Sequence, residues 1–395
     1  MTESGPSKSG RHFLQIPGPS NTPDRVLRAM ARPTIDHRGP EFAQLTLTIL
    51  DRLRTVFQTS KPVLLFPSSG TGAWEAALVN TTSPGDRVLG FETGQFAVQW
   101  RNVANRLGLT VEWIESDWRH GVDASTVEAK LSEDSNHSVK AVMVVHNETS
   151  TGITSRVAEV REAIDSAAHP ALLLVDAVSS LGSIDYRHEE WGVDVTVCAS
   201  QKGLMLPPGL GFNAVSDKAM AASEAAAFQR SYWDWGPVLE MNERGFFPYT
   251  PPTNLLFGLD VALDMLLQEG LANIFSRHHR LATATRRAVG KWGLEICGLV
   301  PSEHSDTLTA VLMPDGHDAD ELRRLILDRF DMSLGTGLGK VKGRVFRIGH
   351  LGDLNDLMLA GTLCGVEMGL SLAGVPYERG GVNAALEYLA HSAAG

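Results

Sequence analysis

Cysteine is scarce: Cys198, Cys297 and Cys364 are the only three in 395 residues. The number is odd, no CxxC or HExxH spacing occurs, and all three lie among apolar or small neighbours. Buried free thiols are therefore expected, and no metal site. No stretch of about 20 consecutive apolar residues is present, which excludes a membrane-spanning helix. The first ten residues, MTESGPSKSG, lack the apolar centre of a signal peptide and read as a frayed polar terminus. Without export or membrane signals the expected location is the cytoplasm. Positive charge is also in deficit: the formal net charge is −11, which disfavours binding to a nucleic-acid backbone.

What is present is an ordinary globular balance, 43% hydrophobic and 21% charged. A chain this long exceeds one core, so two domains are expected. Between residues 60 and 215, apolar runs at 63–66, 87–91, 111–114, 139–145, 171–176 and 193–199 alternate with helical patterns at 72–80, 96–106, 126–133 and 157–168. Uninterrupted runs such as VMVV and LLLV suit strands covered on both faces, and the alternation is that of an α/β fold with a mostly parallel sheet. Residues 209–215 read as a further, antiparallel strand, the seventh. Long helices follow at 254–269 and 271–292. A second α/β unit then has strands at 307–313 and 344–348 and helices at 319–329 and 356–373. The expected division is an N-terminal segment 1–30, a large domain 31–265 and a smaller C-terminal α/β domain 266–395.

Three stretches carry chemistry. In PSSGTGAWEAAL, residues 67–78, a strand ends in a small-residue turn that opens a helix. Free N–H groups at a helix start form an anion site, glycines let the anion approach, and Ser69 and Thr71 add hydroxyls. The Gly-Lys-Ser/Thr ending of a P-loop is missing. In ALLLVDAVSSLG, Asp176 follows four apolar residues at the carboxyl end of a buried strand, the edge where open α/β sheets bind ligands. A carboxylate there needs a cationic partner, and a protonated pyridine nitrogen is one. In VDVTVCASQKGLMLPPGLG, Lys202 follows another buried strand. Most of the nine lysines stand in polar stretches, whereas Schiff-base chemistry needs a desolvated amine, as Lys202 would be. An independent signal is Arg347, set between Val345–Phe346 and Ile348–Gly349, where a solvated arginine is not expected. Its guanidinium fork matches a carboxylate.

Taken in order, PGPSNTP, DHR, FPSSGTGAWE, VVHNETSTG, VDAVSSLGS, SQKGLMLPPG, YTPP and FRIGHLGD resemble the class V, fold type I, pyridoxal 5'-phosphate (PLP) aminotransferases. The nearest likeness is to the serine–glyoxylate branch and its alanine–glyoxylate relatives, from about Phe13 to about Ala385. The resemblance implies a large PLP-binding domain with a smaller C-terminal one. Lys202 would form the Schiff base and carry the α-proton, and Asp176 would hold the ring nitrogen. Ser69, Gly70 and Thr71 would bind the phosphate beside Gln201. Phe96 and Val178 would pack on the two ring faces, and Thr149 would donate to the ring's phenolic oxygen. Thr250 would reach the phosphate of a neighbouring subunit. Phe247 stands where some relatives have a tyrosine that contacts the phosphate, so that contact is missing here. Arg347 would clamp the substrate α-carboxylate, with His350 lining the same pocket or simply packed.

The implied partners are a small amino acid and a 2-oxo acid. The implied assembly is a homodimer or higher oligomer with shared sites, to which His37 and Arg38 would contribute across the interface or serve only their own loop. Trp233 and Trp235 would line the entrance or pack in the core. The implied reaction is transamination of L-serine with glyoxylate to give hydroxypyruvate and glycine. Alanine–glyoxylate and aspartate–glyoxylate transamination are the alternatives. A PLP lyase or desulfurase on the same fold is disfavoured, because neither Cys198, inside an expected strand, nor Cys364, inside an expected helix, stands on a mobile loop.

Overall fold

The computed structural model describes residues 9–392, so all but the end of the polar N-terminal stretch expected to fray lies outside the described residues. Its centre is a seven-stranded sheet in the order Val63–Ser68, Gly209–Val215, Val195–Ala199, Leu172–Asp176, Val139–Val145, Arg87–Phe91, Thr110–Ile114. Gly209–Val215 runs antiparallel to both of its neighbours, and the other pairings are parallel. Successive side chains point to opposite faces. Leu64 and Phe66 accordingly join one core with Met143, Leu174 and Val197, under the helices Gly70–Thr81 and Gln95–Arg106. Leu65 joins another core with Val142, Leu173, Val175 and Phe212, under Pro40–Phe57, Ala124–Glu133, Val157–Ser166 and Thr253–Glu269. Both faces are covered, as the unbroken apolar runs require.

A second sheet has the order Phe13–Gln15, Met332–Thr336, Val345–Gly349, Leu308–Leu312, Glu295–Ile296. Its own core includes Phe346, Ile348, Leu363 and Trp292. The strand Phe13–Gln15 pairs in parallel with Met332–Leu334, so an N-terminal strand completes a sheet made otherwise of C-terminal ones. None of the described helices is long and apolar enough to cross a membrane.

Several elements escape the sequence reading. The helix Pro40–Phe57 contains LTLTIL, whose period-two alternation and β-branched residues mimic a strand. Its buried Phe42, Thr46, Ile49, Leu53 and Val56 follow helical spacing, and packing overrides local preference. The strand Met332–Thr336 hides in the short run MSLGT. The expectation that all three cysteines are buried fails at Cys364, which is exposed while Cys198 and Cys297 are buried. On the helix Asp356–Leu372, Leu359, Leu363, Val366 and Leu370 face inward, and Cys364 falls on the opposite stripe with Leu357 and Met368, both exposed. Apolar neighbours in sequence are no guide to burial on a helix whose outer face is itself apolar.

Leu174 is fully buried in the strand that ends at Asp176. Leu174→Ala should therefore cost about 2–5 kcal/mol, seen as a lowered Tm.

Candidate active site

Three strand ends meet at the carboxyl edge of the large sheet. Val63–Ser68 runs out at Ser69, which caps the helix Gly70–Thr81 without a side-chain hydrogen bond of its own. The N–H groups of that first turn are thus left to an anion. Gly70 lets the backbone approach Val178 closely: a Cβ there would stand 3.0 Å from Val178 Cγ2, which would have to give way. Leu172–Asp176 delivers Asp176. Val195–Ala199 leads to Gln201 and Lys202. Between them lies a cavity of about 250 Å³ lined by Ser69, Gly70, Thr71, Phe96, Thr149, Asp176, Val178, Gln201 and Lys202. All nine were singled out from sequence. Trp74, Asn147 and the Gly18–Pro19 backbone line it too.

Asp176 is 4% exposed. Its Oδ1 accepts from the Val178 N–H at 2.7 Å and its Oδ2 from the Trp74 indole N–H at 2.9 Å. Burial nevertheless pushes its pKa up to about 7, with Glu148 adding to the rise and Lys202 opposing it. Two hydrogen bonds without a counter-charge do not repay the lost hydration. A cationic group arriving in the cavity would restore the carboxylate. Lys202, 7% exposed, is pushed down to about 7, first by burial and then by the nearby Arg347, with Asp176 and Glu148 acting in the opposite sense. At neutral pH a substantial share of its amine is unprotonated and nucleophilic.

Arg347 does not line the cavity but stands behind Thr149. Its Nη1 donates to the Thr149 carbonyl at 2.7 Å and its Nε to the Thr336 carbonyl at 2.8 Å. Its Nη2 has no acceptor among the described residues. Burial lowers its pKa to about 10, so it stays cationic. His350 is fully buried away from the cavity, with Nε2 on Thr309 Oγ1 at 3.0 Å and Nδ1 on the Asp306 carbonyl at 3.1 Å. Burial lowers its pKa to about 3. Thr250 is exposed and lies outside the cavity of its own chain, and Arg38 is exposed in a loop. Phe247 is buried against Phe42 and Tyr249. Trp235 is fully buried and donates to Asn213 Oδ1 at 3.3 Å. Trp233 donates to Glu75 Oε1 at 3.1 Å.

Two contributors carried no assigned role in the sequence reading although both lie in quoted motifs. Trp74 holds Asp176 and stacks on Trp100 at a centroid distance of 5.9 Å. Glu148 is fully buried. It accepts from the N–H groups of Phe96 and Ala97 at the start of the helix Gln95–Arg106 and from the Ser150 N–H and hydroxyl. A carboxylate on a helix N-terminus is favourable, and here it ties the Phe96 turn to the Thr149 loop. The polar run HNETSTG carried no sign that Glu148 is buried.

These features suit a flat, phosphorylated, cationic ring. The helix start at Gly70 leaves its N–H groups open, Phe96 and Val178 line the cavity, and Asp176 is raised by burial for want of a compensating charge. Gln201 Oε1 is buried without a partner among the described residues, leaving its amide free to turn toward a bound group.

The sequence matches the class V aminotransferase family over residues 12–338, and the chain belongs to that family. It is 49% identical to the serine–glyoxylate aminotransferase of Methylorubrum extorquens, over 97% of each chain. To the L-aspartate–glyoxylate aminotransferase of Paracoccus denitrificans it is 46% identical, over 94% of this chain and 95% of that one. Among solved structures, the pyridoxamine–pyruvate aminotransferase of Mesorhizobium loti superposes with a TM-score of 0.90 at 28% identity, covering 98% of this chain and all of that one.

The two buried ionisable groups make opposite contributions to stability. Asp176, whose pKa rises from 3.8 to about 7, favours the fold most at low pH and loses that contribution as pH rises to about 7. Lys202, whose pKa falls from 10.5 to about 7, disfavours the fold most at and below about pH 7, and its penalty fades as pH rises toward 10.5. In cofactor-free protein, Asp176→Asn should flatten the stability profile between about pH 4 and 7, and Lys202→Met between about pH 7 and 10. Denaturant titrations across pH measure both. Profiles that keep the wild-type slopes would contradict these assignments.

Proposed function

We propose that this aminotransferase uses pyridoxal phosphate and moves the amino group of L-serine to glyoxylate, giving hydroxypyruvate and glycine. The observation that carries the reading is the buried pair at one sheet edge: an amine kept partly neutral at Lys202, and a carboxylate at Asp176 that awaits a cation. When bound, the cofactor supplies the electron sink for the substrate α-carbanion.

The remaining work falls to the chain. The N–H groups after Ser69, with the Ser69 and Thr71 hydroxyls, hold the phosphate, and Gln201 flanks it. Phe96 and Val178 enclose the ring and exclude water. Thr149, whose one hydroxyl proton goes to Ser179 Oγ at 2.8 Å, would turn that proton from Ser179 to the ring oxygen. Asp176 faces the ring nitrogen and, once paired, becomes fully ionised. Arg347 offers its free Nη2 to the substrate α-carboxylate. Lys202 Nζ accepts the α-proton, a base whose pKa of about 7 suits neutral pH. His350, with both ring nitrogens occupied, positions the strand that bears Arg347. Thr250 serves the phosphate of a partner subunit in a homodimer. The large domain 31–265 carries the cofactor, and the small domain 266–395, joined by the 13–15 strand, carries the carboxylate clamp.

Serine is favoured over aspartate by charge. Lys202 is the one cationic side chain among the described residues that line the cavity, and Arg347, set behind Thr149, is engaged by the α-carboxylate, so the cavity lining of one chain holds no further cation for a second substrate carboxylate. Arg38 would have to supply it from elsewhere. Adding L-serine to purified protein should abolish its visible cofactor band, and glyoxylate should restore it. A kcat/KM for aspartate well above that for serine would overturn the substrate choice. Lys202→Ala should remove turnover while leaving the fold intact. Arg347→Lys should raise KM for every α-carboxylate substrate by at least about tenfold, or about 1.4 kcal/mol.

A further inference from the structure

The Lys202 amine has one hydrogen-bond acceptor among the described residues, and it is far away in sequence: Nζ donates to the Pro17 carbonyl at 2.5 Å. The next residue, Gly18, has φ +118°, and a Cβ there would stand 2.3 Å from Lys202 Cδ, 2.4 Å from Nζ and 2.5 Å from Cε. The backbone at 17–18 is therefore moulded to the lysine side chain. Its anchoring is double. On the Lys202 side, the Ser20 N–H donates to the Gln201 carbonyl at 2.9 Å, and the Ser20 hydroxyl to the Lys202 carbonyl at 2.9 Å. On the other side, the strand Phe13–Gln15 is bonded to the small sheet. There, a Cβ at Gly335 would meet Pro17 Cδ at 2.7 Å and Arg347 Cβ at 2.9 Å, and one at Gly349 would meet the Ile16 carbonyl at 2.3 Å.

We propose that the Pro17 carbonyl is the seat of the Lys202 amine whenever that amine is not bonded to the cofactor, and that Gly18 is a positioning residue whose missing side chain keeps the seat open. The proposal rests on the pyridoxal phosphate reading above. A neutral amine has two N–H bonds and one lone pair, so giving one N–H to a fixed carbonyl restricts where the lone pair can point. In the proton transfer the substrate Cα–H bond breaks, its electron pair stays on carbon, and an N–H bond forms at Nζ. The carbonyl still accepts from the resulting ammonium, and it neither takes the proton nor offers one. The seat follows the strand Phe13–Gln15, which lies beside the strand bearing Gly335 and one strand removed from that bearing Arg347, so gripping the α-carboxylate and aiming the base depend on the same small sheet.

The test is a double-mutant cycle on the full-length protein loaded with pyridoxamine phosphate, the form in which Lys202 is free. Gly18→Ala should lower kcat by about tenfold or more while leaving KM for serine within about twofold, and should weaken pyridoxamine phosphate binding. In the Lys202→Ala background, the same substitution should leave that affinity unchanged beyond the backbone strain common to both. Labelling of Lys202 by a small amine reagent, followed across pH by mass spectrometry, should become faster in Gly18→Ala. Where Gly18→Ala fails to fold, Ser20→Ala removes only the hydroxyl anchor and should raise the same labelling rate several-fold. Equal loss of affinity in both backgrounds, or labelling unchanged in whichever variant folds, overturns the proposal. Wild-type protein that does not bind pyridoxamine phosphate at all overturns the cofactor reading, and this proposal with it.

Discussion

Desolvation at the carboxyl edge of the large sheet is the constraint on which the rest depends. Strands covered on both faces can end only in residues that leave water with them, and two of those residues are ionisable. Burial moves Asp176 and Lys202 in opposite directions toward the same value, about 7, so at neutral pH neither is wholly in its ordinary charge state. Such an edge is costly to keep and useful for that reason. A ligand that brings a cation to Asp176 and an electrophile to Lys202 relieves both groups at once. Trp74 and Glu148 belong to this arrangement. One fixes the carboxylate by an indole N–H, and the other joins the Phe96 turn to the Thr149 loop.

Much of this was legible in the sequence because parallel strands with two covered faces leave continuous apolar runs, and the residue that ends each run is conspicuous. Asp176 after LLLV and Lys202 after the Val193–Ala199 run are of this kind, and the cavity contains both. Ser69, Gly70 and Thr71 were visible as a turn opening a helix. What stayed hidden depends on contacts distant in sequence. Nothing near Trp74 tells that its N–H faces Asp176, 102 positions away. Pro17 and Gly18 stand in a quoted motif, but their meeting with Lys202 is fixed by a strand pairing across the whole chain. His350, a titratable residue three places from Arg347, takes the packed of its two readings: it is outside the cavity lining, and both nitrogens hold loops and strands together. Cys364 shows that local apolarity and burial separate when a helix has apolar residues on its outward stripe.

Arg347 illustrates how two sheets share one task. It belongs to the small sheet, yet one of its nitrogens is fixed by the Thr149 carbonyl of the large unit. Its charge lowers the Lys202 pKa from across that junction. The Arg347 guanidinium and the Lys202 amine are thereby electrostatically coupled before any ligand arrives. A bound carboxylate would neutralise part of that field and make the lysine a stronger base at the moment one is needed.

The pairing of Phe13–Gln15 with Met332–Leu334 has a bearing on how the molecule is made. A chain emerging from the ribosome grows from its N-terminus, and its first strand has no partner until residues 332–334 have left the exit tunnel. The large sheet, whose strands lie between residues 63 and 215, can form long before then. The edge that brings Pro17 to Lys202 and Arg347 to Thr149 is closed by some of the longest-range contacts in the molecule, which carry the largest loop-closure cost and form late. During synthesis the lysine would wait without its roof until residues 332–334 arrive, and without Arg347 nearby until the strand Val345–Gly349 is delivered.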